Sequence, residues 1–323
     1  MRYERGVVLQ AAGARVGYDG AVLKDAFESL IAALREAVPA VYGDRLWSLA
    51  LYGSVARGTM RSDSDVDLLI VAEPLPKGRM PRAAEFEAVE KRMAPAFTEA
   101  RRHGVDTFLS GVFKTRAELE HGNFLFLDMP DEARVLYDCD ACLASYLAGL
   151  AARLKAMGAE RIPFQGGYYW RLTPTFKPGD KIELSGMTAD ELVRSDFGRA
   201  RKRRKALEVL FEEGAFADVV RESQELVELV LKGMLRAAGV DPPKWHDVGD
   251  LLLANAGRLP DSLGDRLDDL AQTSRALRKE RELASYGDVD FIPDDRYDRE
   301  TAAAVLVRVD RVLDALTLFE AVL

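Results

Sequence analysis

The sequence predicts an α+β fold: an N-terminal mixed sheet with helices, followed by an all-α antiparallel helical bundle. In the first third of the chain, short β-prone runs alternate with helical patterns. From Ala189 onward almost every segment has the three-to-four-residue period of amphipathic helices, interrupted by turn-forming glycine and proline clusters. We therefore expect a sheet domain at 1–122, an extension with a helix and a β-hairpin at 123–188, and the bundle at 189–323.

The elements of the N-terminal region follow from local patterns. In chain order the sequence predicts a helix, a strand, a turn with a brief helix, a second strand, a charged helix and a third strand, at residues 21–42, Leu46–Tyr52, Gly53–Met60, Val66–Val71, Arg82–His103 and from Gly104. The second strand is apolar on both faces once it has passed Asp67, as expected for a strand inside a sheet.

Composition and charge narrow the classes of function. The chain has 323 residues and a net charge of −8. No stretch approaches the roughly 18 apolar residues of a membrane helix, and the N-terminus lacks the apolar block of a secretory signal. The acidic balance argues against a surface built to neutralise nucleic-acid phosphates. We expect a cytoplasmic protein with no membrane partner, and nucleic acid stays open as a partner without being favoured.

A cluster of carboxylates lies at the start of the second strand. Because residues two apart on a strand share a face, Asp65 and Asp67 present their carboxylates side by side. Mg²⁺ commonly takes one or two carboxylates and completes its shell with substrate phosphates and water. The Gly53-Ser54 turn offers close backbone approach and a hydroxyl to the phosphates of a nucleoside triphosphate. Asp106 is the acid expected on the third strand, where it would complete a two-metal clamp.

These residues resemble a known family. Gly53-Ser54, Asp65-Val66-Asp67 and Asp106 look like the signature of the nucleotidyltransferase superfamily with a DNA polymerase beta-like fold, over about residues 25–110. The longer string, with Ser64 before the first aspartate, most resembles the minimal nucleotidyltransferases. The resemblance implies that Asp65, Asp67 and Asp106 are catalytic and bind Mg²⁺, and that Ser54 binds the terminal phosphates.

Two further residues are candidates for nucleotide binding. Arg57 follows the Gly53-Ser54 turn closely enough to reach the triphosphate, although a surface arginine there is also commonly just solvated. Ser64 occupies the serine position of the resembled motif. The implied reaction is transfer of a nucleoside monophosphate from an NTP, with ATP expected, to an acceptor hydroxyl, with release of pyrophosphate.

The C-terminal bundle resembles a HEPN domain over about residues 195–323, on the segments 225–232, 242–247 and 277–288. The resemblance implies pairing of helices into a homodimer. Where HEPN ribonucleases carry arginine and histidine, this chain aligns Lys279 and Ala284, and no histidine follows Asp247. We therefore expect no ribonuclease activity. The basic run 199–205 is either a solvated helix face or a contact for nucleic acid or triphosphate.

The acceptor of the expected transfer is undetermined, whether a small molecule or a protein tyrosine, and three alternative functions stay open. The chain could adenylylate a protein tyrosine, as antitoxin nucleotidyltransferases do to HEPN toxins, with Tyr286 as a conceivable target. It could instead bind NTP as a non-catalytic scaffold of the HEPN type. Addition of nucleotides to RNA ends ranks third, because the acidic balance disfavours it.

Overall fold

The computed structural model describes residues 20–178, 180, 183–184, 187–243, 247–286 and 296–322. The chain divides into two compact units, Met1–Leu119 with Asp128–Tyr146, and Glu120–Leu127 with Leu147–Leu323. The first holds a mixed sheet with helices and the second is mainly helical, which confirms the α+β class. The extension expected at 123–188 is shared between the units. Across the described ranges, no helix combines the length and apolar character needed to cross a membrane.

The first unit alternates helices and strands. Its elements are α1 (Gly20–Tyr42), β1 (Leu46–Tyr52), α2 (Gly53–Arg57), β2 (Val66–Ala72), α3 (Arg79–Arg102), β3 (Leu109–Lys114), α4 (Arg116–His121), α5 (Met129–Glu132), β4 (Arg134–Asp138) and the start of α6 (Cys142–Met157). The helix and strand order expected up to β3 is present, with boundaries that move by a few residues. Local periodicity therefore located these elements well.

The four strands form one sheet in the order β3-β2-β1-β4. β2 runs antiparallel to β1 and parallel to β3, and β1 is also antiparallel to β4. In this register Asp67 lies opposite Tyr52 of β1 and Ser110 of β3. The sheet therefore holds Asp67 on an inner strand, with a neighbour on each side.

The two faces of the sheet have different roles. Leu68 and Ile70 of β2 are fully buried and pack into a core with α1 and α3, to which Phe27 and Phe86 contribute. Because side chains alternate along a strand, Asp67 lies on the opposite face. Burying the alternate residues thus fixes β2 so that its first carboxylate is kept out of the apolar core.

Two features of this unit differ from expectation. β3 begins at Leu109, not at Gly104, because Val66 at the start of β2 pairs with Leu109. The preceding residues, Asp106 among them, form the loop that leads into the strand. A fourth strand, β4, was not expected; it is a five-residue edge strand with only one buried side chain, and its local pattern is correspondingly weak.

The second unit is built around one long helix. After α6 come a hairpin of β5 (Glu160–Phe164) and β6 (Gly167–Arg171), the short strands β7 (Glu183–Leu184) and β8 (Met187–Thr188), then α7 (Ala189–Glu212), α8 (Phe216–Ala237), β9 (Val240–Asp241), α9 (Gly249–Ala254), α10 (Arg266–Tyr286) and α11 (Arg299–Glu320). α8 packs against α7, α10 and α11, and β9 adds a third strand to the hairpin sheet.

The basic run of α7 is engaged by acids of neighbouring helices. Arg203 pairs with Glu222 of α8, and Arg201 pairs with Glu320 of α11. The guanidinium of Arg204 binds both carboxylate oxygens of Asp310, at 2.6 and 3.1 Å. Much of the positive charge of this run is therefore neutralised within the helical unit.

Candidate active site

The turn after β1 is shaped by Gly53. Its φ is +72°, a left-handed conformation that side chains disfavour, and α2 begins at this residue. A Cβ atom at Gly53 would lie 2.3 Å from Oδ2 of Asp67, far inside contact distance. The absence of a side chain at Gly53 therefore makes the space that the Asp67 carboxylate occupies. Ser54, the next residue, is half-buried at the same turn.

The two carboxylates of the motif lie at the start of β2. Asp67 is in the strand and Asp65 is in the loop immediately before it, and both are half-buried. Tyr52, the partner of Asp67 on β1, is buried; burial, and after it the negative charge of Asp67, raise the pKa of its phenol to about 12. Tyr52 is consequently a neutral phenol at physiological pH, beside the metal-ligand candidates.

The donor set at this edge fits one magnesium ion. Asp65 and Asp67 supply hard carboxylate oxygens, and two is a number that Mg²⁺ commonly takes from protein, leaving positions for water and phosphate. The space above Gly53 is occupied by the Asp67 carboxylate, so this candidate metal ligand lies against the Gly53-Ser54 turn. Within the part of the chain that the structure describes, no three His, Cys, Asp or Glu residues are grouped to hold a metal.

Asp106 is not brought to the other two acids. Its backbone N–H donates to the carbonyl of Ser62 at 2.9 Å, while its side chain is 86% exposed and lies 3.3 Å from Nε of Arg101. The residue of β3 in register with Asp67 is Ser110. Asp106 precedes Ser110 by four residues, roughly 13 Å of extended chain. The convergence of three carboxylates expected from the sequence is absent from this arrangement.

The other nucleotide-binding candidates have local partners. Nη1 of Arg57 lies 2.8 Å from Oε2 of Glu132, so this guanidinium is held against α5. The hydroxyl of Ser64 accepts a hydrogen bond of 2.8 Å from the N–H of Arg61 and so closes the turn before Asp65. Ser64 therefore positions the loop that carries the acids.

Sequence reasoning missed two residues that support the site. Thr107 is buried, and its hydroxyl donates to the carbonyl of Ser64 at 2.7 Å, which ties the loop before β3 to the loop before β2. Glu132 holds Arg57, as described above. Neither residue belongs to a spaced motif, and no local signal identifies a partner so distant in sequence. Only the fold brings them to the site.

The helical unit contains a separate cavity of about 710 Å³ between α8, α10 and α11. Lys279, which aligns with the arginine of HEPN ribonucleases, lines it together with Arg308 and Tyr297. The phenol of Tyr297 donates to Oε2 of Glu280 at 2.9 Å. Ala284 and Tyr286 lie in α10, but their side chains fall outside what the structure describes. The expected lack of ribonuclease activity stays a prediction.

Comparison with known proteins agrees with this division. A nucleotidyltransferase domain model matches residues 31–103, so the first unit carries a nucleotidyltransferase domain. A HEPN domain model matches residues 194–318, in the second unit. The chain is therefore a fusion of a nucleotidyltransferase domain with a C-terminal HEPN domain, as the sequence motifs predicted.

One curated relative matches a short stretch. Over 41 residues the chain is 56% identical to a protein of Methanocaldococcus jannaschii that is provisionally named a protein adenylyltransferase, MJ1305. The stretch covers 13% of this chain and 28% of the relative, so most of the relative's length has no counterpart in the match. Together with the domain match, it supports transfer of a nucleoside monophosphate in general.

Proposed function

We propose that this chain transfers a nucleoside monophosphate from an NTP, with ATP as the donor, to an acceptor hydroxyl, in a reaction that depends on Mg²⁺. One observation carries the proposal: the Asp67 carboxylate lies directly over the side-chain-free backbone of Gly53. The candidate metal ligand and the candidate phosphate-binding turn are thereby adjacent, as a metal-bound triphosphate would require.

Each residue of the site has a distinct role in this reaction. Asp65 and Asp67 would hold the metal, and Ser54, the residue after Gly53, would donate its hydroxyl to the terminal phosphates. A bound Mg²⁺ neutralises phosphate charge and stabilises the negative charge that develops on the leaving pyrophosphate. Ser64 and Thr107 would act by holding the loop before β2, which carries Asp65.

Calorimetric titration with ATP, with and without Mg²⁺, tests this assignment together with pyrophosphate release over a panel of hydroxyl acceptors. We expect Asp67→Asn to weaken Mg²⁺-dependent ATP binding and transfer by at least about 100-fold, since even a residue that only supports a metal ligand is worth roughly 10–100-fold. Asp63→Asn is the matched control, because Asp63 is a largely exposed acid of the same loop. Equal activity of the wild type and Asp67→Asn would overturn the proposal.

The same assay decides the role of Asp106. Because its side chain is exposed and pairs with Arg101, we expect Asp106→Asn to keep wild-type transfer. A loss as large as that of Asp67→Asn would instead make Asp106 the third carboxylate that the sequence motif implies. Tight Mg²⁺-dependent ATP binding without pyrophosphate release on any acceptor would support the scaffold alternative.

A protein hydroxyl is a second candidate for the acceptor. The name of the Methanocaldococcus jannaschii relative favours it, and the fused HEPN domain supplies a conceivable target in Tyr286. Mass spectrometry of the full chain after incubation with ATP and Mg²⁺ tests this directly. We expect a nucleotide adduct that is lost in Tyr286→Phe and kept in Tyr137→Phe, and an unmodified chain contradicts modification within the chain itself.

A further inference from the structure

An exposed aromatic ring lies next to the candidate metal ligands. Phe108 is 60% exposed, whereas its neighbour Leu109 is 6% exposed and belongs to the core of the first unit. The carbonyl of Phe108 accepts a hydrogen bond of 2.9 Å from the N–H of Val66, so its backbone is fixed against the start of β2. Single exposed apolar residues are common on proteins, and it is the location of Phe108 that makes this one informative.

The register places Phe108 on the same face of the sheet as the acids. Leu109 pairs with Val66 and Ser110 with Asp67, and the hydrogen bond from Val66 to the Phe108 carbonyl continues this pairing one residue before β3, so Phe108 is level with Asp65. Because side chains alternate in extended backbone, Phe108 and Ser110 share the face that carries Asp67, opposite to Leu109. Neighbouring strands are about 4.8 Å apart, which brings the ring within reach of a group bound at the carboxylates.

The strand order indicates the side of the sheet from which the acceptor approaches. The phosphate turn is at the end of β1, the metal ligands are at the start of β2, and Phe108 and Ser110 are on the β3 side. In phosphoryl and nucleotidyl transfer the attacking oxygen and the leaving group lie on opposite sides of the phosphorus atom. With pyrophosphate held on the β1 side, the acceptor oxygen approaches from the β3 side.

We propose that Phe108 is a specificity residue on the acceptor side of the site, an inference that rests on the proposed function. Its ring packs against an acceptor whose hydroxyl is carried by an aromatic ring, as in a tyrosine side chain. The acceptor oxygen forms a bond to the α-phosphorus while the bond to the bridging oxygen of pyrophosphate breaks. The phenolic proton leaves to solvent. Ring pairs with centroids about 4.5–7 Å apart favour such an acceptor over an aliphatic alcohol.

The proposal is tested with the full chain, ATP, Mg²⁺ and two small acceptors, N-acetyltyrosinamide and N-acetylserinamide. The readout is pyrophosphate release. We expect Phe108→Ala to lower kcat/KM for the tyrosine amide about tenfold, mainly through KM, because the lost ring contact stabilises the bound acceptor. Transfer to the serine amide and the Kd of Mg²⁺-ATP should stay at their wild-type values. The kcat/KM of Phe108→Leu for the tyrosine amide should lie between the values of the wild type and Phe108→Ala.

Tyr137→Ala is the matched control, because Tyr137 is a partly exposed aromatic residue on β4, at the opposite edge of the sheet. An unchanged KM for the tyrosine amide in Phe108→Ala would overturn the proposal. A weaker Kd for Mg²⁺-ATP in that variant would also overturn it and would assign the ring to the nucleobase.

The test separates this proposal from the proposed function. A wild-type chain that transfers to neither amide, nor to any other acceptor, contradicts the function. Saturation-transfer NMR with N-acetyltyrosinamide, Mg²⁺ and a non-hydrolysable ATP analogue then decides the role of Phe108 without turnover. Binding that Phe108→Ala abolishes supports the acceptor contact, whereas binding that is absent from the wild type or equal in both chains rejects it.

Discussion

Gly53 links the conformation of a turn to the position of a catalytic candidate. Its left-handed φ alone would favour glycine, but Gly58 at the end of α2 has the same φ of +72°, and a Cβ atom there would meet no neighbouring atom within 4 Å. The two glycines therefore share the backbone requirement and differ in one respect. Only at Gly53 does a methyl group collide with the Asp67 carboxylate.

This pair of glycines gives a prediction about the site. We expect Gly58→Ala to cost about 1–2 kcal/mol of stability, because an L side chain resists the left-handed conformation, and to leave Mg²⁺-ATP binding intact. Gly53→Ala should cost more and should also abolish binding, since Asp67 must move. Urea denaturation and calorimetric titration measure the two effects. Equal ATP affinity in both variants would mean that the close approach to Asp67 is not required.

Tyr52 gives a prediction about alkaline pH. Its folded pKa is about 12 against an ordinary value of 10.0, because burial and then Asp67 disfavour the phenolate. The folded chain therefore binds this proton more tightly than the unfolded chain. The contribution of the protonated Tyr52 phenol to the free energy of unfolding is complete below about pH 10. It is lost as the pH rises from 10 to 12.

Unfolding by urea at several pH values tests this assignment. Between pH 10 and 12 the free energy of unfolding should fall less steeply in Tyr52→Phe than in the wild type, because phenylalanine has no proton to lose. Tyr137→Phe, on the more exposed edge strand, serves as the comparison. If the free energy of unfolding fell equally steeply with pH in the wild type and Tyr52→Phe, the raised pKa of Tyr52 in the folded chain would be contradicted.

At the scale of elements, the start of α4 combines a cap with an ion pair. Glu118 accepts a hydrogen bond from the N–H of Thr115 at 2.9 Å, and the Thr115 hydroxyl accepts from the N–H of Glu118 at 3.2 Å, which forms a capping box. Both carboxylate oxygens of Glu118 also bind the guanidinium of Arg82 on α3. Hydrogen bonding from Arg82 accordingly lowers the pKa of Glu118.

Two substitutions at Glu118 separate these contributions. Glu118→Gln keeps an oxygen for the cap and loses the charge pair, whereas Glu118→Ala loses both and should cost roughly 1–2 kcal/mol. Glu120→Ala, an exposed acid on the same helix, is the control. Because the pKa of Glu118 is lowered, the ion-pair contribution should be present above the ordinary glutamate pKa and decline at lower pH, as urea denaturation can show. Equal stability of the Gln and Ala variants would contradict the cap.

Elements whose burial is set locally were predictable, and those set by a distant partner were not. The helical period of α1 and the apolar run of β2 are contained within the segments themselves. The start of β3 depends on its pairing with Val66, and β4 exists as a strand because it pairs with β1. For the same reason the sequence motif identified Asp65 and Asp67 as neighbours but could not show that Asp106 lies apart from them.

At the scale of the whole molecule, the distribution of charge bears on the partners of the chain. The net charge is −8, and the basic run of α7 is the strongest exception to it. Arg204 of that run binds Asp310 with both nitrogens of its fork and also lies 3.1 Å from Glu208. Nucleic-acid phosphates are neutralised by lysine and arginine side chains. Side chains that already form ion pairs within the helical unit are less available for this.

One pair of variants distinguishes a structural basic run from a nucleic-acid contact. We expect Arg204→Gln to lower the free energy of unfolding by about 1 kcal/mol, because a bidentate but partly solvated pair is lost. Lys202→Gln removes the same charge from an exposed position of α7 and should change stability by less than about 0.5 kcal/mol. Urea denaturation measures both. Binding of a single-stranded RNA oligonucleotide at physiological salt should be weak and equal in the wild type and both variants; tight RNA binding that Lys202→Gln weakens would make the run a nucleic-acid surface instead.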